Sequence, residues 1–159
     1  MVIVRVRFVL LFAASLLAGC AGGMTETASP ASTTLAGTPL SELPPQPMRP
    51  GQCTLVLWSR GNPPLRFLMA FDTPATARVF LDGEVVELPR VSESGALVSG
   101  HFPEQFFARD ALSLNVSFST DESGVLEDGM RVSSASVEYS GPTGWTALIP
   151  AAGLIACSR

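Results

Sequence analysis

From Cys53 onward the apolar residues recur every second position, and this period is what most limits the folds open to the chain. It is cleanest in Leu112 to Phe118, where Leu112, Leu114, Val116 and Phe118 face one way and Ser113, Asn115 and Ser117 face the other. A period of 2 places alternate side chains on opposite faces of a strand, one toward a core and one toward water. Met130 and Val132 alternate, then the parity shifts, and Ala135, Val137 and Tyr139 alternate again. One extra residue near Ser133-Ser134 restores the phase, so a β-bulge is expected there. No stretch of this region carries a helical period.

Turn signals divide the region into short strands. Asp82-Gly83 lies between Arg78–Leu81 and Glu84–Leu88. That dipeptide favours a two-residue type I′ hairpin, because both of its residues accept positive φ. Arg60-Gly61-Asn62-Pro63-Pro64 and Gly141-Pro142-Thr143-Gly144 are loops by composition. Thr54 to Ser59 is an almost wholly apolar strand, and Leu65, Phe67, Met69 and Phe71 are expected on one face of the next. Ala96 to Phe102 is read as a strand that Pro103 ends, and Asp121 to Asp128 as an acidic loop. Trp145 to Ile149 and Leu154 to Cys157 complete the set. The expected fold class is all-β, a small closed β-barrel or a β-sandwich of about eight short antiparallel strands.

The N-terminal third is different. Arg5 and Arg7 precede an apolar run from Phe8 to Leu17 that only Ser15 interrupts, and Ala18 and Gly19 follow. A charged start, an apolar middle and a small-residue exit make a secretory signal, expected as a helix. The run is about half of the ~20 residues that a spanning helix needs. Its exit, Leu17-Ala18-Gly19-Cys20, resembles the lipobox of bacterial lipoproteins. The resemblance implies a signal peptide over 1–19 and a mature chain that begins at a lipidated Cys20, carrying diacylglycerol and an N-acyl chain such as palmitate. It implies a chain held to the membrane by lipid. Ala21 stands where Asp commonly retains a lipoprotein in the inner membrane, so the expected place is the outer membrane of the bacterial cell envelope, facing the periplasm.

Residues 20–52 are expected to be the lipidated cysteine and a flexible linker, rich in Pro, Ser and Thr, with Pro30, Pro39, Pro44, Pro45, Pro47 and Pro50. Composition of this kind buries too little apolar surface to offset the entropy of ordering. The domain is expected to span 53–159. With Cys20 lipidated, Cys53 and Cys157 remain, and an oxidising compartment makes a disulfide between them the default. One histidine and no third free cysteine are too few soft ligands for a metal pair.

Composition narrows the function classes. The formal charge is −4, the ten basic residues are all Arg, and loss of Arg5 and Arg7 makes the mature chain more acidic. This argues against nucleic acid as a partner. His101 has no Gly-x-Ser-x-Gly elbow and no free thiol to work with. The acids Asp121, Glu122, Glu127 and Asp128 do not follow an EF-hand spacing. No catalytic residue, cofactor or metal is expected. Trp58, Trp145, Phe102, Phe106 and Phe107 are either core or the lining of a groove.

Asp82-Gly83 through Leu88-Pro89, with Ser92-Glu93-Ser94-Gly95-Ala96 after it, resembles part of the membrane-bound inhibitors of C-type lysozyme. These are small lipoprotein β-barrels with a disulfide. The resemblance implies that Ser92, Ser94 and Gly95 form a loop that enters the lysozyme cleft, with Arg109 in place of a lysine on a second loop. A hydroxyl and a cation there would hydrogen-bond the two catalytic carboxylates. Leu97-Val98 stands where the family usually has an aromatic. The leading expectation is a non-catalytic outer-membrane lipoprotein that binds an envelope protein or glycan, or serves a structural role. Lysozyme inhibition comes second, and an envelope enzyme third.

Overall fold

The computed structural model describes residues 33–159; the signal, Cys20 and the first part of the linker lie outside the described residues. Among the described residues there is no helix. Nine strands are present: β1 (Leu40–Ser41), β2 (Cys53–Ser59), β3 (Arg66–Phe71), β4 (Thr76–Leu81), β5 (Glu84–Ser94), β6 (Glu104–Arg109), β7 (Leu112–Leu126), β8 (Gly129–Ser140) and β9 (Thr146–Cys157). Every pairing is antiparallel. The order β4-β3-β2-β9-β8-β7-β6-β5, with β5 returning to β4, closes an eight-stranded barrel, and β1 adds a ninth strand against β4. The alternative of a sandwich is thereby settled in favour of the barrel.

Local chemistry sets the register as the alternation requires. Asp82 and Gly83 have φ of 51° and 86°, and Leu81 pairs with Glu84 across the turn. Leu114, Val116, Val137 and Ile155 are wholly or almost wholly buried inside the barrel. Val132 pairs with Gly153 and Ala135 with Ala151, so Ser133-Ser134 holds the extra residue of the expected bulge. A bulge leaves a backbone group out of the ladder. Here the Arg60 guanidinium donates to Ser133 O at 2.7 Å and to Ala151 O at 3.2 Å. On the outer face Ser117 and Ser119 meet Ser136 and Ser134 hydroxyl to hydroxyl, at 2.8 and 3.1 Å.

β2 closes the barrel against β9 in unbroken register from Cys53↔Cys157 to Ser59↔Ala151. At one end of this seam Cys53 and Cys157 are joined by a disulfide across 104 positions of sequence. The neighbouring backbone bonds point away from the pair, with Asp72 N donating to Cys53 O and Cys157 N to Asp128 O. The two cysteines therefore form a non-hydrogen-bonded cross-strand pair, where facing side chains lie closest.

Four expectations are corrected. First, the segment from Thr33 to Gln52 is packed on the barrel. Leu35 and Leu40 join the interior core. Leu43 joins a second cluster with Val56, Met69 and Phe71 on the outer wall of β2 and β3. Leu43 N donates to Arg66 O, and the Arg66 guanidinium returns two bonds to Leu43 O at 3.1 and 2.8 Å. Arg78 reaches Gln46 Oε1 at 3.3 Å while its guanidinium lies over the Phe71 ring. The prolines do not prevent this, because a proline-rich strap loses little entropy on ordering and needs few backbone donors. The packed unit thus begins before residue 53. The same strap explains the apolar run of β2: Leu55 and Leu57 face inward while Val56 faces the strap.

Second, a register shift at Leu57/Trp58 leaves Phe67 bulged, so Leu65 and Phe67 face the interior with Leu68 and Ala70, whereas Met69 and Phe71 face outward. Third, residues 96–102 form a loop with one bridge, Val98↔His101, and the strand lies after it at β6. Fourth, β7 runs on to Leu126, so Asp121 to Leu126 is strand, and only Glu127-Asp128 makes the turn. Arg159 pairs with both acids of that turn at 2.9 Å.

Two stability measurements test this architecture. Leu43→Ala should destabilise the chain by about 2–5 kcal/mol, the usual cost of emptying a buried leucine site; a linker residue would leave the urea midpoint unchanged. Replacing Cys53 and Cys157 by Ser should cost about 2–5 kcal/mol, and a chain equally stable without the bridge would contradict the clasp.

Candidate functional site

The strand directions give the barrel two ends. Loops 72–75, 95–103 and 127–128 lie at the disulfide end. Loops 60–65, 82–83, 110–111 and 141–145 lie at the opposite end. The expected inhibitor residues divide between them.

Ser92 and Ser94 lie near the end of β5, beyond Pro89, which is the last β5 residue paired with β4. Both are exposed, as are Val91 and Leu97. Their hydroxyls border a shallow depression of about 200 Å³ with Glu104 and Asn115. Gly95 has φ of +95°, and a Cβ there would stand 3.0 Å from Pro103 Cδ, so the turn needs glycine. Arg109 ends β6 at the opposite end. It donates to Glu87 O at 3.3 Å and lies 3.9 Å from Asp110. Ser94 stands seven positions beyond Glu87 on β5, roughly 23 Å along a strand. The structure therefore brings Ser92, Ser94 and Gly95 together and does not bring Arg109 to them.

The loop behind them is fixed by Arg90. Its guanidinium pairs with Glu93 at 2.6 Å, donates to Gln105 Oε1 at 3.1 Å and lies over the Phe102 ring. The neighbouring His101 is fully buried, and its Nε2 lies 3.2 Å from Cys53 O. A carbonyl only accepts, so Nε2 carries the proton and Nδ1 is bare. Nδ1 and the Gln105 Nε2 are both buried without a hydrogen-bond partner. Burial pushes the imidazole below its ordinary value of 6.5, against the opposing pull of the Cys53 carbonyl and of Asp72. Through this contact the buried imidazole ties loop 95–103 to the strand that carries the disulfide.

A hollow of about 500 Å³, mostly apolar, lies at the opposite end. Leu35, Leu65 and Ile149 form apolar wall, Thr33 to Thr38 one rim, Arg60 to Pro63 another and Leu148 a third. Its volume is within the range of small-ligand sites, and a barrel mouth is a common place for one. Sequence reading missed it because its walls come from three segments far apart in the chain, one of them assigned to the linker. The exposed Leu148, out of step with the inward Ile149, is the one local signal. Trp58 is half-buried beside the strap, Phe107 is core, and Trp145 lies half-exposed over the Tyr139 ring, centroids 6.0 Å apart. Among the described residues no three His, Cys, Asp or Glu side chains converge on a metal-sized site.

No family model, curated protein or solved structure matches the chain.

His101 gives a pH prediction with a definite sign. Its folded-state pKa is depressed, so below about pH 6.5 the unfolded chain takes up a proton that the folded chain refuses. Stability should be full above that value, fall as pH drops through the window beneath it, and level off below the folded pKa. Thermal midpoints measured from about pH 8 to about pH 5 should show the fall, and His101→Gln should flatten it. A slope unaltered in His101→Gln would assign the effect to other groups.

Proposed function

We propose that the chain is a lipid-anchored, non-catalytic binding module of the bacterial cell envelope. The observation that carries the reading is the Cys53–Cys157 disulfide. Disulfides persist in oxidising compartments, and the remaining cysteine, Cys20, stands at the exit of a lipobox-like signal. The two features agree on one compartment. Two acyl chains or more give stable anchoring, at about 0.8 kcal/mol per buried CH₂. The outer membrane, facing the periplasm, is the proposed location. The proposed partner is an envelope protein or glycan. Exposed Val91, Ser92, Ser94 and Leu97 at the disulfide end, and the apolar hollow at the other, are the surfaces on offer.

Inhibition of C-type lysozyme is the second reading. The exposed Ser92 and Ser94 favour it, although they are among the last residues of strand β5 rather than a loop, and it requires a cation other than Arg109, which is at the far end of β6.

In cells, Cys20→Ser should move the protein from the membrane fraction to the soluble fraction; retention in the membrane fraction would overturn the anchor. Crosslinking of the wild-type chain in intact cells should recover a reproducible partner that Ser92→Arg or Leu97→Glu removes. The mature chain, strap included, added to C-type lysozyme at micromolar concentration separates the readings: inhibition lost in Ser94→Arg supports the second, and unchanged turnover ends it.

A further inference from the structure

We propose that the hollow opposite the disulfide end is a slot for an extended, uncharged peptide segment of a partner protein, which pairs edge to edge with the start of β9. The inference rests on the binding-module reading above and adds a site and the chemistry of what fills it.

The first observation is an interruption in the barrel wall. β2 ends at Ser59, opposite Ala151, and the chain turns away into loop 60–65. β9 begins at Thr146, so its first residues have β8 on one side and no strand on the other. β1 pairs with Phe80 and Leu81, past Val79, where the β3 pairing stops, and Thr34 bridges to the far side of Ser41. The other rim of the interruption is therefore Thr33 to Leu35. The hollow lies between the two rims, with Leu35, Leu65 and Ile149 as its apolar floor.

The second observation is where the backbone groups point. Successive residues of an antiparallel strand send N–H and C=O to alternate sides. Cys157 N donates to Asp128 O and Gly141 N to Trp145 O, so the odd-numbered positions of β9 face β8. Pro150 O accepts from Arg60 N, so the even-numbered positions face β2. Thr146 and Leu148 therefore direct their N–H and C=O groups into the interruption, and no described residue bonds to them there. On the other rim, Leu35 N donates to Leu40 O and Glu42 N to Thr33 O, which turns Thr34 N–H and C=O away from β1, toward the hollow they line.

What enters must offer donors and acceptors at strand spacing over an apolar floor, and an extended backbone does both. It follows the track that β2 leaves at Ser59, antiparallel to β9. Its side chains point alternately toward Leu35 and Leu65 and outward beside Leu148, which is 71% exposed. Free edges are commonly blunted by Lys, Pro or an inward charge, and Thr146-Ala147-Leu148-Ile149 has none of these. Among the described residues that line the hollow, Arg60 alone is charged, and its guanidinium is engaged by Ser133 O and Ala151 O. The segment that fits is therefore neutral and apolar at every second position.

Amide exchange and peptide selection on the mature chain, strap included, test this. In the free chain Leu148 N–H should exchange fast beside a protected Ile149; a Leu148 amide already protected would overturn the free edge. Short peptides selected from a random display library should alternate apolar and small polar residues. Added as synthetic peptides, they should slow exchange at Leu148 and bind equally at low and high salt. Leu148→Pro removes the N–H without touching the β8 ladder, and should weaken those peptides by about three- to tenfold, the loss of one hydrogen bond. Leu148→Lys, a change at an exposed side chain, should also weaken them, and Ser92→Arg should leave them bound. An empty selection, peptides that leave Leu148 exchange unchanged, or peptides that bind both Leu148 variants as tightly as the wild type would overturn the slot. Dimers that Leu148→Lys dissolves would overturn it too, by giving the edge to a second copy. With the slot overturned, a partner still recovered by crosslinking in cells leaves the binding-module reading standing; recovery of none removes both.

Discussion

The pairing of β2 with β9 is the contact on which the rest of the barrel depends. All the other neighbours in the closed barrel are adjacent in sequence, so they form as hairpins. Only β2 and β9 must meet across nearly the whole domain. Non-local pairing carries the largest loop-closure cost. The disulfide is placed on that seam, where the chain-entropy account gives it up to about 4.7 kcal/mol for a loop of about 100 residues. With the seam shut, no long strand edge is left along β2 and β9 to pair with another chain. The inward residues of all eight strands then share one interior, from Leu55 and Leu57 to Ile149 and Ile155.

The seam also organises what surrounds it. Cys53 O receives His101 Nε2 and Asp72 N, so the buried imidazole and loop 95–103 hang on the same residue as the disulfide. On the outer wall, the Pro-rich strap covers Val56, Met69 and Phe71 of β2 and β3 and is held by Arg66 and Arg78. The barrel is thus a one-layer core with a second, smaller apolar layer on one side.

Much of this was legible in the sequence, and what was missed has physical causes. The alternation of Leu112 to Phe118, the parity change at Ser133-Ser134 and the Asp82-Gly83 turn are local signals, and each corresponds to the element expected. The strap was illegible because low apolar content reads as coil, whereas three leucines, Leu35, Leu40 and Leu43, suffice when apolar surface awaits them. β2 carried the clue, since a strand apolar on both faces needs cover on both. β6 was missed because Pro103 and an apolar stretch before it drew the strand to 96–102. The site was less legible than the fold. Ser92, Ser94 and Gly95 stay together because they are neighbours in sequence, but the first two end strand β5 where a loop was expected. Arg109 parts from them because its place depends on the β5–β6 register, and the hollow near Leu148 depends on three distant segments.

The proposed anchor joins the sequence pattern at Cys20 to the oxidised pair at Cys53 and Cys157, and one measurement reads both. Mass spectrometry of the protein extracted from its native membranes, without reduction, should give an N-terminal peptide that begins at Cys20 and carries diacylglycerol, together with a linked peptide pair containing Cys53 and Cys157. An unmodified Cys20 within a longer or differently cut N-terminus, or Cys53 and Cys157 recovered as free thiols, would contradict the account.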